Sequence, residues 1–263
     1  MKADYRNWVP AGMKRGFFAA TIILAVLLLF AVATSPLPSP TANTVVDIIL
    51  LVAFIVCAWF SHWCAIASRA FSWDTEDSLA KRIVEGTASH VSIPEGGTCL
   101  DVGCGSDVLA IAVAKRNPQA KVVGVDRWGK EYASFSKKLC ERNAEAEGAT
   151  NATFLQGDAR KLPFPDKTFD AVTSNYVYHN IAGADKQQLL LETLRTLKPG
   201  GTFAIHDLMS KHHYGDMEAF AQKLRDRGYR EVQLIPTAGG KFMSDAEERR
   251  YLLQGSTLLV GRK

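Results

Sequence analysis

A chain of 263 residues, 47% of them hydrophobic, has room for one good-sized domain with an appendage. Its formal charge of +4 is uneven: residues 1–71 hold Lys2, Arg6, Lys14, Arg15 and Arg69 against Asp4 and Asp47, a surplus of +3, leaving +1 for the other 192 residues. A nearly neutral globular part argues against a nucleic-acid partner, and five cysteines at 57, 64, 99, 104 and 140, none in a CxxC pair, argue for free thiols in a reducing compartment.

The first 71 residues read as a membrane hairpin. Phe17–Ala33 is apolar apart from Thr21, and Val45–Ala67 is a second run that carries Asp47, Ser61 and His62. At 1.5 Å per residue the second run reaches about 34 Å, enough for a bilayer, while the first reaches about 25 Å and needs its flanks. Between them Pro36, Pro38 and Pro40 break any helix. Basic residues precede the first run (Lys2, Arg6, Lys14, Arg15) and follow the second (Arg69, Lys81, Arg82), so both ends are expected on the cytoplasmic side of a multi-pass cell-membrane protein. Trp59, Phe60, Trp63 and Phe71 suit an interfacial belt. Two rivals are weaker. A cleavable signal ending at Ala31-Val32-Ala33 would leave the second span in place, and buried core helices would show a polar stripe that neither run has. Asp47, near the outer end, reads as a snorkelling or loop-proximal charge, the alternative being an intramembrane functional acid.

From Ser72 the composition becomes that of a soluble domain, 72–263. Asp74–Ser78 reads as a linker, and Leu79, Ile83 and Val84 fall at helical spacing. Strand-like runs follow at Thr98–Val102, Lys121–Val125, Thr153–Leu155, Phe169–Thr173, Thr202–Ile205, Glu231–Ile235 and Thr257–Val260. Helical stretches at about 108–116, 130–147, 185–197 and 215–227 separate most of them. This alternation predicts an α/β domain, a Rossmann-like, mostly parallel sheet covered on both faces.

In such a sheet ligands sit beyond the carboxyl ends of the strands. Here those ends are Gly103-Cys104-Gly105, Asp126, Gly157-Asp158, Ser174-Asn175 and His206-Asp207. Glycines let a ligand approach the backbone, and the helix after them aims free N–H groups at the turn. Asp126, 23 residues after Gly103, is placed to accept both hydroxyls of a ribose, and Asp158 to meet the exocyclic amine of an adenine. Nicotinamide enzymes rarely need the second acid, and Val108 stands where their third glycine belongs. Cys99 and Cys104 read as small buried residues rather than a redox pair.

The segments LDVGCGSD, VVGVD, QGDARKLPFPDKTFDAVTSN and LKPGG, in this order and at these spacings, resemble the motif series of the class I S-adenosylmethionine-dependent methyltransferases. LPFPDKTFDAV is nearest the branch that acts on quinones, sterols and other small molecules. The resemblance implies a seven-stranded sheet whose last strand inserts antiparallel, with S-adenosylmethionine as cofactor. It also implies that Asp101, Gly103, Cys104 and Gly105 hold the amino-acid end, Asp126 the ribose, Arg127 the adenosine, and Asp158 with Ala159 the adenine. Asn175 would lie near the reacting methyl. One departure is Asp107, where the family usually has glycine. An acid there is expected to cap the next helix, the alternative being impaired cofactor binding and a non-catalytic binding or scaffold protein.

Methyl transfer needs in-line positioning and, where a proton must leave, a base. His179 and His206 are the candidate bases and Tyr178 a wall or donor, the alternative for each histidine being a hydrogen-bonded structural residue. His212 and His213 lack a third ligand at recognisable spacing, so no metal is expected. A domain tethered this close to a span favours a lipid-like or other membrane-partitioned small-molecule acceptor.

Overall fold

The computed structural model describes residues 2–129 and 134–263. They form two compact units, one of residues 7–80 and one that joins the segment up to Arg6 with residues 81–263.

The first unit is a helical hairpin. α1 (Ala11–Thr34) starts behind Pro10 and stops at Ser35, whose left-handed backbone (φ 44°) lets its N–H bond Ala31 O. α2 (Pro40–Ala70) starts with proline in its first turn and the Ser39 side chain accepting from Ala42 N–H. Their 24 and 31 residues correspond to about 36 and 46 Å. The first helix exceeds its apolar run because Ala11–Gly16 is helical too. Both are long and apolar enough to cross a bilayer, and they bury little of their surface: Leu29 is 71% and Ile49 61% exposed.

The second unit holds, in chain order, α3 (Leu79–Ala88), β1 (Thr98–Val102), α4 (Val108–Arg116), β2 (Lys121–Asp126), α5 (Lys137–Glu147), β3 (Ala152–Gln156), β4 (Phe169–Asn175), α6 (Lys186–Arg195), β5 (Leu197–Leu208), α7 (Lys211–Tyr214), α8 (Met217–Asp226), β6 (Arg230–Pro236), α9 (Asp245–Arg250) and β7 (Ser256–Arg262). The seven strands are ordered β3-β2-β1-β4-β5-β7-β6. The first five run parallel, and β7 inserts antiparallel between β5 and β6, the topology expected of the closing strand.

Burial explains the layers. Every residue of α4 from Val108 to Ala114 is buried, so this helix is enclosed on all sides. Another cluster joins Leu190 and Leu194 of α6, Phe203 of β5, Phe220 of α8 and Leu259 of β7. Three boundaries differ from expectation. The helix expected at 130–147 is capped by Ser136 and begins at Lys137, residues 130–133 lying outside the described residues. The helix expected at 215–227 begins at Met217, capped by Asp216, after Gly215 (φ 72°) ends the separate short helix α7. β5 begins at Leu197, which pairs in parallel with Phe169 of β4, and Gly201 O further along it accepts from Lys263 N–H (2.9 Å).

Candidate active site

The parallel strands bring their carboxyl ends to one edge of the sheet, with β1 central. Gly103 and Gly105 both take positive φ (72° and 55°). Gly103 N–H and Cys104 N–H converge on Val125 O at 2.7 and 3.1 Å, pinning the turn to β2. A Cβ at Gly103 would fall 2.4 Å from both Val177 methyls, so the turn has neither the dihedral nor the space for a side chain. Gly103→Ala is expected to destabilise this unit by roughly 2–5 kcal/mol, read as a lowered denaturant midpoint.

Asp126, at the end of β2, ties the loop across the crevice. Its Oδ2 accepts from Gly105 N–H (2.9 Å) and its Oδ1 from Trp128 N–H (2.7 Å), while the Trp128 indole N–H donates to Gly105 O (3.0 Å). A carboxylate so held keeps a lone pair on each oxygen, suited to a vicinal diol. Trp128, in a left-handed conformation (φ 44°), carried no signal in the sequence. Asp158, just after β3, accepts from Arg160 N–H (2.9 Å) and pairs with its guanidinium (3.2 Å), with Ala159 half-buried beside it. Arg127 has an exposed side chain, and its carbonyl accepts from Gln156 Nε2 (3.2 Å). Cys104 is buried, and Cys140 of α5 sends its thiol to Gly105 O (3.3 Å). Asp101 is 1% exposed and accepts from Thr173 Oγ1 (2.8 Å); burial pushes its carboxyl up to about 7.

Asp107 does not cap α4. Its φ of 76° turns the side chain away from the free N–H groups, and no side-chain cap bond forms. The residue is fully buried; Oδ1 accepts from Asn143 Nδ2 (3.2 Å), and Oδ2 is buried without a partner among the described residues. Burial pushes this acid up to about 9, the Asn143 bond opposing and the Asp101 and Glu147 charges adding to it. It is therefore neutral at pH 7 and adds no charge to the crevice. An acid raised in the folded state binds its proton there while the unfolded chain has released it, so stability falls as pH rises from about 4 to about 9. Asp101 adds the same slope only up to about 7, which leaves the interval from 7 to 9 to Asp107. Asp107→Asn is expected to flatten the decline in melting temperature between pH 7 and 9, a slope of at most about 1.4 kcal/mol per pH unit.

At the ends of β4 and β5 the candidate bases separate. His206 is fully buried, with Nδ1 on Asn175 Oδ1 (2.7 Å) and Nε2 facing Thr237 Oγ1 (3.0 Å) and Ser256 Oγ (2.9 Å). Burial lowers its pKa to about 3, and with both nitrogens engaged it braces β4, β5 and β7 rather than meeting an acceptor. Tyr178 is likewise fully buried, its hydroxyl paired with Thr193 (2.7 Å), so it belongs to the core and is no wall of the crevice. His179 lies in the turn Tyr178–Asn180, its side chain 19% exposed, with Nδ1 hydrogen-bonded to Asp207 Oδ1. Among the described residues its Nε2 has no protein partner.

Asp207, which the sequence placed at a strand end without a role, is fully buried and accepts from Tyr178 N–H (2.8 Å) and Leu208 N–H (2.7 Å) as well. Burial would raise it, but His179, the neighbouring Tyr214 hydroxyl and the Leu208 N–H outweigh burial and hold it below the usual carboxylate range. Tyr176 (φ 54°) lies between the two histidines, 4.6 Å from the His206 ring and 6.1 Å from His179, with its hydroxyl on Ser256 (2.7 Å).

A family model described as a methyltransferase domain matches residues 100–205, which run from β1 through most of β5. The demethylmenaquinone methyltransferase of Geobacillus kaustophilus is 34% identical over 179 residues, 68% of this chain and 70% of that protein. The demethylmenaquinone methyltransferase of Thermus thermophilus is 40% identical over 106 residues, 40% of this chain and 44% of that protein, so the match spans less than half the length of that relative. Of solved structures, the cyclase SpnF superposes with a TM-score of 0.54 at 19% identity, covering 73% of this chain and 86% of that one, a likeness of fold alone. With the seven-stranded sheet, the glycine turn and the acids at the ends of β2 and β3 in place, the chain belongs to the class I S-adenosylmethionine-dependent methyltransferases.

Proposed function

We propose that the chain is a membrane-anchored methyltransferase whose acceptor is a hydroxylated ring partitioned into the bilayer, of the quinone type that the Geobacillus and Thermus relatives are named for. The observation that carries the anchoring is the hairpin surface. Helices of 24 and 31 residues leave their apolar side chains uncovered, and the aromatic pairs Phe17–Phe60 (5.0 Å), Trp59–Phe60 (4.8 Å) and Trp8–Phe71 (5.1 Å) gather where α1 begins and α2 ends. Lys14, Arg15 and Arg69 lie in the same part of the hairpin, which supports an interfacial collar on the cytoplasmic side.

In this reading 72–263 is the catalytic part and the two spans within 1–71 supply the anchor. S-adenosylmethionine brings a sulfonium-activated methyl group. Asp126 accepts the ribose hydroxyls, Asp158 and Ala159 meet the adenine with Arg127 beside it, and Asp101 with the Gly103–Gly105 turn receives the amino-acid end. Asn175 borders the methyl. His179 takes the acceptor's proton at Nε2, while Asp207 fixes the tautomer through Nδ1 and stabilises the resulting imidazolium.

The test is transfer in liposomes containing the full chain, offered either a hydroquinone with an isoprenoid tail or its tailless water-soluble analogue. At equal bulk concentration the tailed acceptor should be methylated faster. Equal rates for both would rule out a part for the membrane in acceptor capture.

A further inference from the structure

The segment before α1 does not behave as a frayed end. Residues 2–6 belong to the compact unit of the methyltransferase domain although 74 residues of hairpin and linker, 7–80, separate them from the rest of it in sequence. They dock on α5 through Asn143 and Glu147. Asp4 N–H donates to Asn143 Oδ1 (2.8 Å), and Asn143 Nδ2 donates back to Asp4 O (3.1 Å), a reciprocal pair of the kind one strand offers another. The same Nδ2 reaches Ser106 O and Asp107 Oδ1, both at 3.2 Å. Asn143 is 2% exposed, and its bonds to Ser106 and Asp107 are buried, while those to Asp4 are part-buried. Tyr5 is 5% exposed, with its phenol hydrogen-bonded to Glu147 one turn further along α5.

The loop end of this connection is the cofactor turn. Ser106 and Asp107 follow Gly105, and Cys140, three residues before Asn143 on the same buried face of α5, holds Gly105 O. Asp107 explains why a clamp is needed. A non-glycine residue at φ 76° with a buried carboxyl oxygen that has no partner among the described residues is a strained end to the turn, and the Asn143 amide holds its other oxygen in place.

We propose that Asn143 is a positioning residue for the cofactor turn and that residues 4–5 are its clamp, so that docking of the N-terminal segment sets the affinity for S-adenosylmethionine. Only residues 6–10 join the clamp to α1, so the segment that prepares the cofactor site is also the lead into the anchor. The inference rests on the turn being the cofactor site.

The experiment is steady-state kinetics and calorimetry of the full chain in detergent, comparing Tyr5→Ala, Asn143→Ala and the double variant, with Asp126→Ala as control. Tyr5→Ala and Asn143→Ala should each raise Kd and KM for S-adenosylmethionine by about 5- to 20-fold, with kcat at saturating donor unchanged. The double variant should be no worse than Asn143→Ala, because both break one connection. Unchanged KM in Tyr5→Ala would overturn the clamp even if Asn143→Ala failed to fold, and a fall in kcat without a change in KM would also overturn it. If Asp126→Ala leaves binding intact, the cofactor-site reading itself has failed; if Asp126→Ala abolishes binding while Tyr5→Ala is silent, only the clamp has.

Discussion

Replacing His179 by alanine is expected to lower kcat by about 100- to 10,000-fold while leaving the Kd for S-adenosylmethionine within about twofold. The split follows from position. His179 has one nitrogen on buried Asp207 and the other without a protein partner among the described residues, and it shares no hydrogen bond with the glycine turn, Asp126 or Asp158. Added imidazole should restore part of the rate, since the change removes a proton acceptor rather than a brace. Asp207→Asn should lose nearly as much, because an amide neither stabilises the imidazolium nor enforces the Nδ1–H tautomer. It should also lower the melting temperature, as Asp207 gathers the N–H groups of Tyr178 and Leu208 in the interior. The corresponding change at His206 should behave differently. His206→Ala would strip partners from Asn175, Thr237 and Ser256 and cost stability first. Single-turnover rates and thermal melts of the three variants distinguish these patterns.

Asp126→Ala is the second large effect, and it falls on binding. The carboxylate carries two backbone bonds that shape the crevice, to Gly105 and Trp128, in addition to its acceptor capacity toward a diol. Losing the two charge-assisted bonds it would make to the ribose hydroxyls, at about 1.5–3 kcal/mol each, is expected to raise the Kd for S-adenosylmethionine by about 100-fold or more. Asp126→Asn, which keeps one acceptor, should fall between. Calorimetry of the full chain measures both.

The sheet and the strand ends that form the candidate cofactor edge are legible in the sequence because both are written locally. A run such as Thr98–Val102 stopping on glycines, and acids at 126 and 158 closing successive runs, specify strand ends without knowledge of the tertiary fold. The catalytic edge is less legible, because burial there is decided by distant parts of the chain. His179 and His206 both follow strands, but His206 is enclosed by Thr237 and Ser256, 31 and 50 residues away, through the insertion of β7 beside β5. Asp207 reads as an ordinary acid at a strand end; only its pairing with a turn 28 residues earlier gives it a role. Asp107 departs from the expected helix cap for a backbone reason. Residue type and place suit a cap, but the left-handed φ turns the carboxyl toward α5. Trp128 and Tyr176 share that conformation, which no pattern of residue types announces.

The most direct measurement is mass spectrometry of lipid extracts from membranes that contain the full chain, after incubation with methyl-labelled S-adenosylmethionine. Label is expected in a ring-bearing, isoprenoid-tailed lipid, present with the wild type and lost with His179→Ala and Asp126→Ala. Label confined to water-soluble products, or label in the lipid that survives both substitutions, would contradict a membrane-anchored methyltransferase that works through these two residues.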